Sequence, residues 1–318
     1  MSKKRTAQET TEFIRARLGA LPYEPDPRDY LVAQLPPEMA ATLPDESLTL
    51  LAYAPSEFPQ DQGELGLCGG WCGSSVYEMM KALLTGRVIP AGFEDFSAGW
   101  VYEKSRDILC LPDYIEGTNN FGVVKALLGY GAAPEHLCPT DTDRPYKYVE
   151  LPGAKEAAAE NKIVAFYRVP TTPSAIKAAM LGWTLDPGYK MPDGSNGMCP
   201  VVTSFPVFKN AWADALETGI VHDVLPGDEL LGYHAGPQIG FLIRDGVKYL
   251  VNFGSWGKDV GMTLLGVPGV FLIPESYMLS DAYVLKMAQT GQEPETILET
   301  IIRWIKILIG MIFGGENR

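Results

Sequence analysis

The chain has 318 residues, 46% apolar and 20% charged, the balance of a folded globular protein with a sizeable core rather than of a disordered one. Its formal net charge of −13 argues against a nucleic-acid partner, which would call for a basic patch facing the phosphates. Five cysteines are too few, and odd in number, for a disulfide framework, so reduced thiols are expected.

The opening MSKKRTAQETTEF carries positive charge but no apolar run, and no secretory signal is expected. Residues 1–57 read as an N-terminal arm. Thr10–Leu18 has the pattern of one short helix, and the Pro-rich YEPDPRDYLVAQLPPEMAATLP is expected to run extended over the surface of the domain C-terminal to it.

The next stretch, Phe58–Ser75, reads FPQDQGELGLCGGWCGSS and places Gln62 six positions before Cys68. Val76, Met79, Met80, Leu83 and Leu84 then recur at steps of three and four, the period of one buried helical face, with Gly86 as the stop. Cys68 is therefore expected at a helix N-terminus. Unpaired N–H groups and the helix dipole favour an anion there, which lowers a thiol's pKa toward the nucleophilic thiolate. Gln62 on the preceding loop is placed to offer its amide beside the Cys68 N–H, a two-donor pocket for a developing oxyanion.

This stretch resembles the papain-like cysteine peptidases, most closely their bacterial and phage-type members with a DQG-x-LG-x-C signature. The resemblance implies that Cys68 is the nucleophile and Gln62 the oxyanion residue. Leu65 stands where the family usually has a second cysteine, and Gly69 where it has an aromatic residue. The family's zymogens carry a helical prodomain, for which the first 57 residues leave little room.

Up to about Glu150 the pattern stays helical, with Ser97–Asp107 and Phe121–Tyr130 as helices and Asn119 and Asn120 as cap candidates. By resemblance, the Gly117–Thr118 loop flanks the substrate cleft. Beyond Leu151, Ala154–Asn161 and Ser174–Leu181 read as short helices. Ile163–Val169, Val201–Val207, Gln238–Ile243, Lys248–Phe253 and Val270–Ile273 read as strands, with an Asp-Gly hairpin turn in RDGVK. Helices followed by antiparallel strands predict an α+β, two-lobed chain: a helical lobe over about 58–150 and a β-rich lobe over about 151–285. The papain-like architecture holds its active-site cleft between such lobes.

A cysteine nucleophile needs a base, and only His136, His222 and His234 are available. His234-Ala235, leading to Gly240-Phe241, resembles the family's histidine strand, which makes His234 the expected base at the start of a strand. Pro237 within that strand predicts a bulge or an edge. The family orients its histidine with the asparagine of an Asn-Ser-Trp-Gly motif, whereas this chain reads Gly254-Ser255-Trp256-Gly257. Asn252, two positions upstream on the same strand face, is displaced by about 6–7 Å and is expected to substitute only through a shift or bulge. Trp256 keeps the place of the apolar lid over the histidine.

Neither Cys68/Cys72 nor His136/Cys138 has the spacing of a zinc site, so neither metal nor cofactor is expected. Residues 286–318 read as a linker and an apolar helix, Glu295–Phe313. That helix is short for a membrane span and interrupted by Glu299, Arg303 and Lys306. It is expected to dock a partner or a second copy; packing on its own domain or lying on a membrane surface are the other readings. The expected function is peptide or amide hydrolysis by Cys68 and His234 with the Gln62 oxyanion pocket, on a peptide or protein substrate, in the cytoplasm or within a viral particle. The alternative is a catalytically impaired papain-fold subunit of a larger assembly such as a phage virion.

Overall fold

The computed structural model describes residues 5–22, 47–51, 61–85, 95–141, 143, 147–181 and 199–287, all within one compact unit, Met1–Met287. The Pro-rich run after residue 22, Phe58, Gly86 and the apolar helix 295–313 lie outside the described residues.

Helix α1, Ala7–Arg15, starts earlier than its apolar residues suggest because Thr6 and Glu9 form a capping box. The Thr6 hydroxyl accepts from the Glu9 N–H, and the Glu9 carboxylate accepts from the Thr6 N–H. Helix α2, Cys68–Thr85, begins at Cys68 itself and buries Val76, Met79, Met80 and Leu83. Its glycines weaken it as an isolated helix but let neighbours close in: a methyl group on Gly70 would lie 2.3 Å from the Ala98 carbonyl oxygen. Helix α3, Ala98–Leu109, is capped by Ser97, and helix α4, Asn120–Gly129, by Asn119, whose side-chain Oδ1 accepts from the Gly122 N–H at 2.9 Å. Among the described residues three short helices follow: α5 (Ala154–Glu160), α6 (Pro173–Met180) and α7 (Ala215–Thr218).

The strands are β1 (Leu48–Thr49), β2 (Ala165–Arg168), β3 (Val201–Phe208), β4 (Leu230–Arg244), β5 (Val247–Phe253), β6 (Met262–Leu264), β7 (Val267–Pro274) and β8 (Asp281–Lys286). They form one antiparallel sheet in the order β2-β8-β3-β4-β5-β7-β6, with β1 paired to β4. The β4–β5 hairpin turns at Asp245 (φ 52°) and Gly246 (φ 78°), the left-handed pair that a two-residue hairpin requires. The fold is α+β, and α2 packs directly against β3 and β4.

β4 is longer than its sequence suggests. Gly232, Gly236 and Pro237 read as breakers, yet residues 232–238 pair in unbroken register with β3, so His234 lies inside the strand rather than at its start. Pro237 sits where the ladder to β5 has not yet begun, since that ladder starts at Gln238 and bulges between Gln238 and Gly240. Among the described residues, no helix is long and apolar enough to cross a membrane.

Candidate active site

The first turn of α2 carries Cys68 to the middle of β4. The N–H groups of Ala235, Gly19, Gly69 and Cys68 itself face the sulfur and favour its anion. Burial opposes them and is larger, pushing the Cys68 thiol up to about 11. This reverses the expectation of a helix-terminus thiolate. A terminus lowers a pKa only while the charge keeps its solvation, and this sulfur is fully covered.

His234 stands next to Ala235 and is likewise buried, which lowers its pKa to about 3, with the Arg17 backbone acting weakly in the opposite sense. The ring lies under Trp256, centroids 4.5 Å apart, and has Phe205 at its edge at 5.7 Å. Phe205 in turn stacks on Trp212. Trp256 thus lies over the ring of His234. Among the described residues Nδ1 has no hydrogen-bond partner, and the Arg17 carbonyl faces the ring. The other two histidines are exposed, and His222 pairs with Asp214 at 2.9 Å.

Gln62 is buried and its amide orientation is fixed. The Ser255 hydroxyl donates to Oε1 at 2.6 Å, and the Gln62 N–H donates to the Ser255 carbonyl at 2.9 Å. Nε2 then donates to the Leu65 carbonyl and, at 2.9 Å, to the Arg17 carbonyl. Ser255 does not stand out in the sequence as a site residue. Its place beside Trp256 is visible there, but its role as the clamp on Gln62 needs the two segments brought together.

Residues 17–21 run through the space between these groups. Arg17 presents its carbonyl to Gln62 and to His234. Leu18 packs over Gly232. The Gly19 carbonyl accepts from the Thr118 N–H at 2.9 Å while its N–H faces Cys68. Ala20 donates to the Tyr233 carbonyl at 3.2 Å, and Leu21 donates to the Thr118 carbonyl at 2.8 Å. Gly117, with φ +109°, lies so close to Gly19 that a methyl group there would meet the Gly19 oxygen at 2.4 Å. The Gly117–Thr118 loop on one side and Tyr233 on the other thus enclose the segment. Helix α1 anchors it: Phe13 meets Trp256 edge-on, the Arg17 guanidinium lies 3.6 Å from the Phe13 ring centroid, and Arg15 pairs with Glu229. Nothing in the sequence around Arg17 signals this path.

The remaining positions concern the support of His234. A methyl group on Gly254 would lie 2.7 Å from Cε2 of Phe271 and 3.1 Å from the Gly269 oxygen, so the Phe271 ring fills the room of a side chain there. Asn252 is buried opposite Gln238, with Nδ2 donating to the Pro237 carbonyl at 3.1 Å and Oδ1 without a partner among the described residues. Cys72 is buried within α2. Among the described residues, no group of three or more His, Cys, Asp or Glu side chains is arranged to hold a metal ion.

No protein-family model and no curated protein matches the sequence. Solved structures match over nearly the whole chain. Xylellain, a cysteine protease from Xylella fastidiosa, is 22% identical over 91% of this chain and 99% of its own, with a TM-score of 0.66. ProCathepsin B S9 from Trypanosoma congolense is 14% identical over 88% and 89% with a TM-score of 0.59, and digestive procathepsin L 3 of Tenebrio molitor is 16% identical over 89% and 79% with a TM-score of 0.56. The chain has the fold of the papain-like cysteine proteases.

Proposed function

We propose that the protein is a papain-like cysteine peptidase held closed by its own residues 17–21. The observation that carries this reading is the chain's own backbone at the site: the Arg17 carbonyl accepts from the Gln62 amide and faces the His234 ring, while the Gly19 N–H two residues on faces the Cys68 sulfur. A substrate amide that took the place of this segment would set its carbonyl oxygen on the Gln62 donor, in the neighbourhood of Cys68 and His234.

With the segment displaced, Cys68 and His234 regain solvent and both shifts relax, the thiol downward and the imidazole upward. Cys68 then attacks the carbonyl carbon, and the oxyanion is held by Gln62 Nε2 and the Cys68 N–H. His234 gives its proton to the leaving amine, and a water activated by His234 releases the acyl group. The Ser255 clamp contributes by keeping the amide N–H, rather than its oxygen, aimed at the carbonyl.

The test is turnover of a mixture of fluorogenic peptide amides by the full chain, after proteolytic or acid displacement of the N-terminal residues. Hydrolysis is expected in wild type and lost in Cys68→Ala. Hydrolysis that survives in Cys68→Ala, or its absence from a folded wild type whose residues 17–21 are shown to be displaced, would refute the reading.

A further inference from the structure

The loop over residues 111–118 meets the segment 17–21 with its backbone. Ala20 forms a parallel bridge with Thr118: the Thr118 N–H donates to the Gly19 carbonyl at 2.9 Å, and the Thr118 carbonyl accepts from the Leu21 N–H at 2.8 Å. Such recognition works only where the backbone is held still, because a hydrogen bond weakens steeply with misalignment. The loop has little of its own to hold it. Apart from that bridge it lies in neither helix nor strand, and Gly117 takes φ +109°. All five cysteines are free, so no disulfide fixes it.

Helix α3 supplies the hold from behind. Arg106, in its last turn, is buried and donates to three loop carbonyls: Nη2 to Pro112 at 3.1 Å, and Nη1 to Ile115 and, at 2.9 Å, to Gly117. Its Nε lies 3.7 Å from the Glu103 carboxylate, which offsets the buried charge and accepts from the Lys147 N–H at 3.0 Å. One turn back, the Tyr102 hydroxyl accepts from the Gly117 N–H at 2.8 Å. Ser105 donates to the Tyr102 carbonyl, which leaves the Thr118 hydroxyl to donate to Ser105 at 2.6 Å. These bonds take up the inward groups of the loop and leave the Thr118 N–H and carbonyl for the occupant of the cleft. A rigid planar fork sets several carbonyls relative to one another, which a single ammonium on a flexible stem cannot do.

We propose that Arg106 is a positioning residue for substrate binding. Through the Pro112, Ile115 and Gly117 carbonyls it fixes the loop whose Thr118 N–H and carbonyl pair with backbone in the cleft. That backbone is residues 19–21 in the closed chain and a peptide substrate in the open one. Tyr102 acts with Arg106 at the Gly117 N–H. The contribution is to binding an extended backbone rather than to the reactivity of Cys68, because the bonds end at the loop. The substrate half of the proposal rests on the peptidase reading, whereas the hold on residues 19–21 belongs to the closed chain.

The test compares two reagents on Cys68 in Arg106→Lys and in Tyr102→Phe, each made in a Gly19→Ala parent. Iodoacetamide needs only an exposed thiol, whereas a dipeptidyl epoxide must also lay its peptide along the loop. Both rates scale alike with the fraction of open chain, so their ratio reads the loop alone. The epoxide-to-iodoacetamide ratio is expected to fall about 5–150-fold in Arg106→Lys, the worth of two backbone hydrogen bonds, and by less in Tyr102→Phe. A ratio within twofold of the parent, in Arg106→Lys protein still folded by circular dichroism, would overturn the proposal. Tyr102→Phe, the milder change, decides in the same way if Arg106→Lys does not fold. In the otherwise wild-type closed chain, hydrogen exchange of the Thr118 and Leu21 amides is expected to accelerate in Arg106→Lys while that of β5 stays unchanged. Equal acceleration in β5 would mark a general loss of stability and overturn it as well. Absence of Cys68 labelling from the parent would count against the peptidase reading, and exchange at Thr118 and Leu21 would still decide the hold by Arg106.

Discussion

The proposed closure of the site by residues 17–21 is most open to attack at Gly19. A methyl group there would lie 2.1, 2.3 and 2.4 Å from the oxygen, Cα and carbonyl carbon of Gly66. All three are backbone atoms on the loop leading to Cys68, so no side chain is available to swing aside. Overpacking of this kind costs about 1–3 kcal/mol, and here the cost falls on the closed state alone, since the open segment meets nothing. Gly19→Ala should therefore shift the closed–open equilibrium by roughly 5–150-fold. The assay is alkylation by iodoacetamide, read by peptide mapping, with exposed Cys110 as an internal reference for buried Cys68. The Cys68/Cys110 rate ratio is expected to rise by that factor in Gly19→Ala, with the melting temperature falling by about 2–10 °C as the closed state loses stability. A ratio unchanged within twofold would refute the claim that contact between residues 19 and 66 holds the cleft shut.

Acid should open the same cleft. His234, lowered from 6.5 to about 3 in the closed form, binds fewer protons there than when solvated. The closed state therefore loses about 1.4 kcal/mol per pH unit on descending from 6.5 toward 3. Amide hydrogen exchange of residues 19–21 is expected to accelerate over that window in wild type, beyond its intrinsic pH trend, and not in His234→Gln. Gln62→Ala, which removes the amide donor, should lower kcat about 10²–10³-fold in opened protein, and Ser255→Ala, which only frees the amide to rotate, should lower it less. Glu78 is fully buried, with the Asp95 carboxylate next in effect, and its pKa is raised well above the usual range. Its native form thus holds a proton that the unfolded chain releases, so stability falls as pH rises above about 4.5. Glu78→Gln, which still accepts from the Phe96 N–H, should raise the melting temperature by an amount that grows from pH 5 to pH 9. Gly254→Asn should destabilise the fold without raising Cys68 reactivity, because Phe271 blocks the side chain.

Much of the fold is legible in the sequence because its signals are local. The 3–4 spacing of Val76, Met79, Met80 and Leu83 marks α2, Asn119 caps α4, and Asp245-Gly246 turns the β4–β5 hairpin. Only the second half of β4 is legible, because Gly232, Gly236 and Pro237 are breakers in isolation and pairing with β3 overrides them. Strand β8 escapes a sequence reading: Asp281–Lys286 has a charge at each end, and its burial comes from lying between β2 and β3. At the site, motif resemblance points to Cys68, His234 and Gln62, and the structure places all three around one backbone segment. The ionisation of Cys68 is where local reasoning fails. The helix terminus is written locally, whereas the cover over it comes from residues far away in the chain. The Ser255 clamp on Gln62 is likewise a product of long-range packing, invisible to spacing arguments.

The central claim is that Cys68 becomes an activated nucleophile, dependent on His234, once residues 17–21 leave. Its most direct test is labelling of Gly19→Ala protein by an epoxide inhibitor of papain-like enzymes, followed by intact mass. One adduct per chain is expected, forming far faster than with free cysteine and lost in both Cys68→Ala and His234→Ala. Labelling no faster than free cysteine, or an adduct that persists without His234, would contradict it.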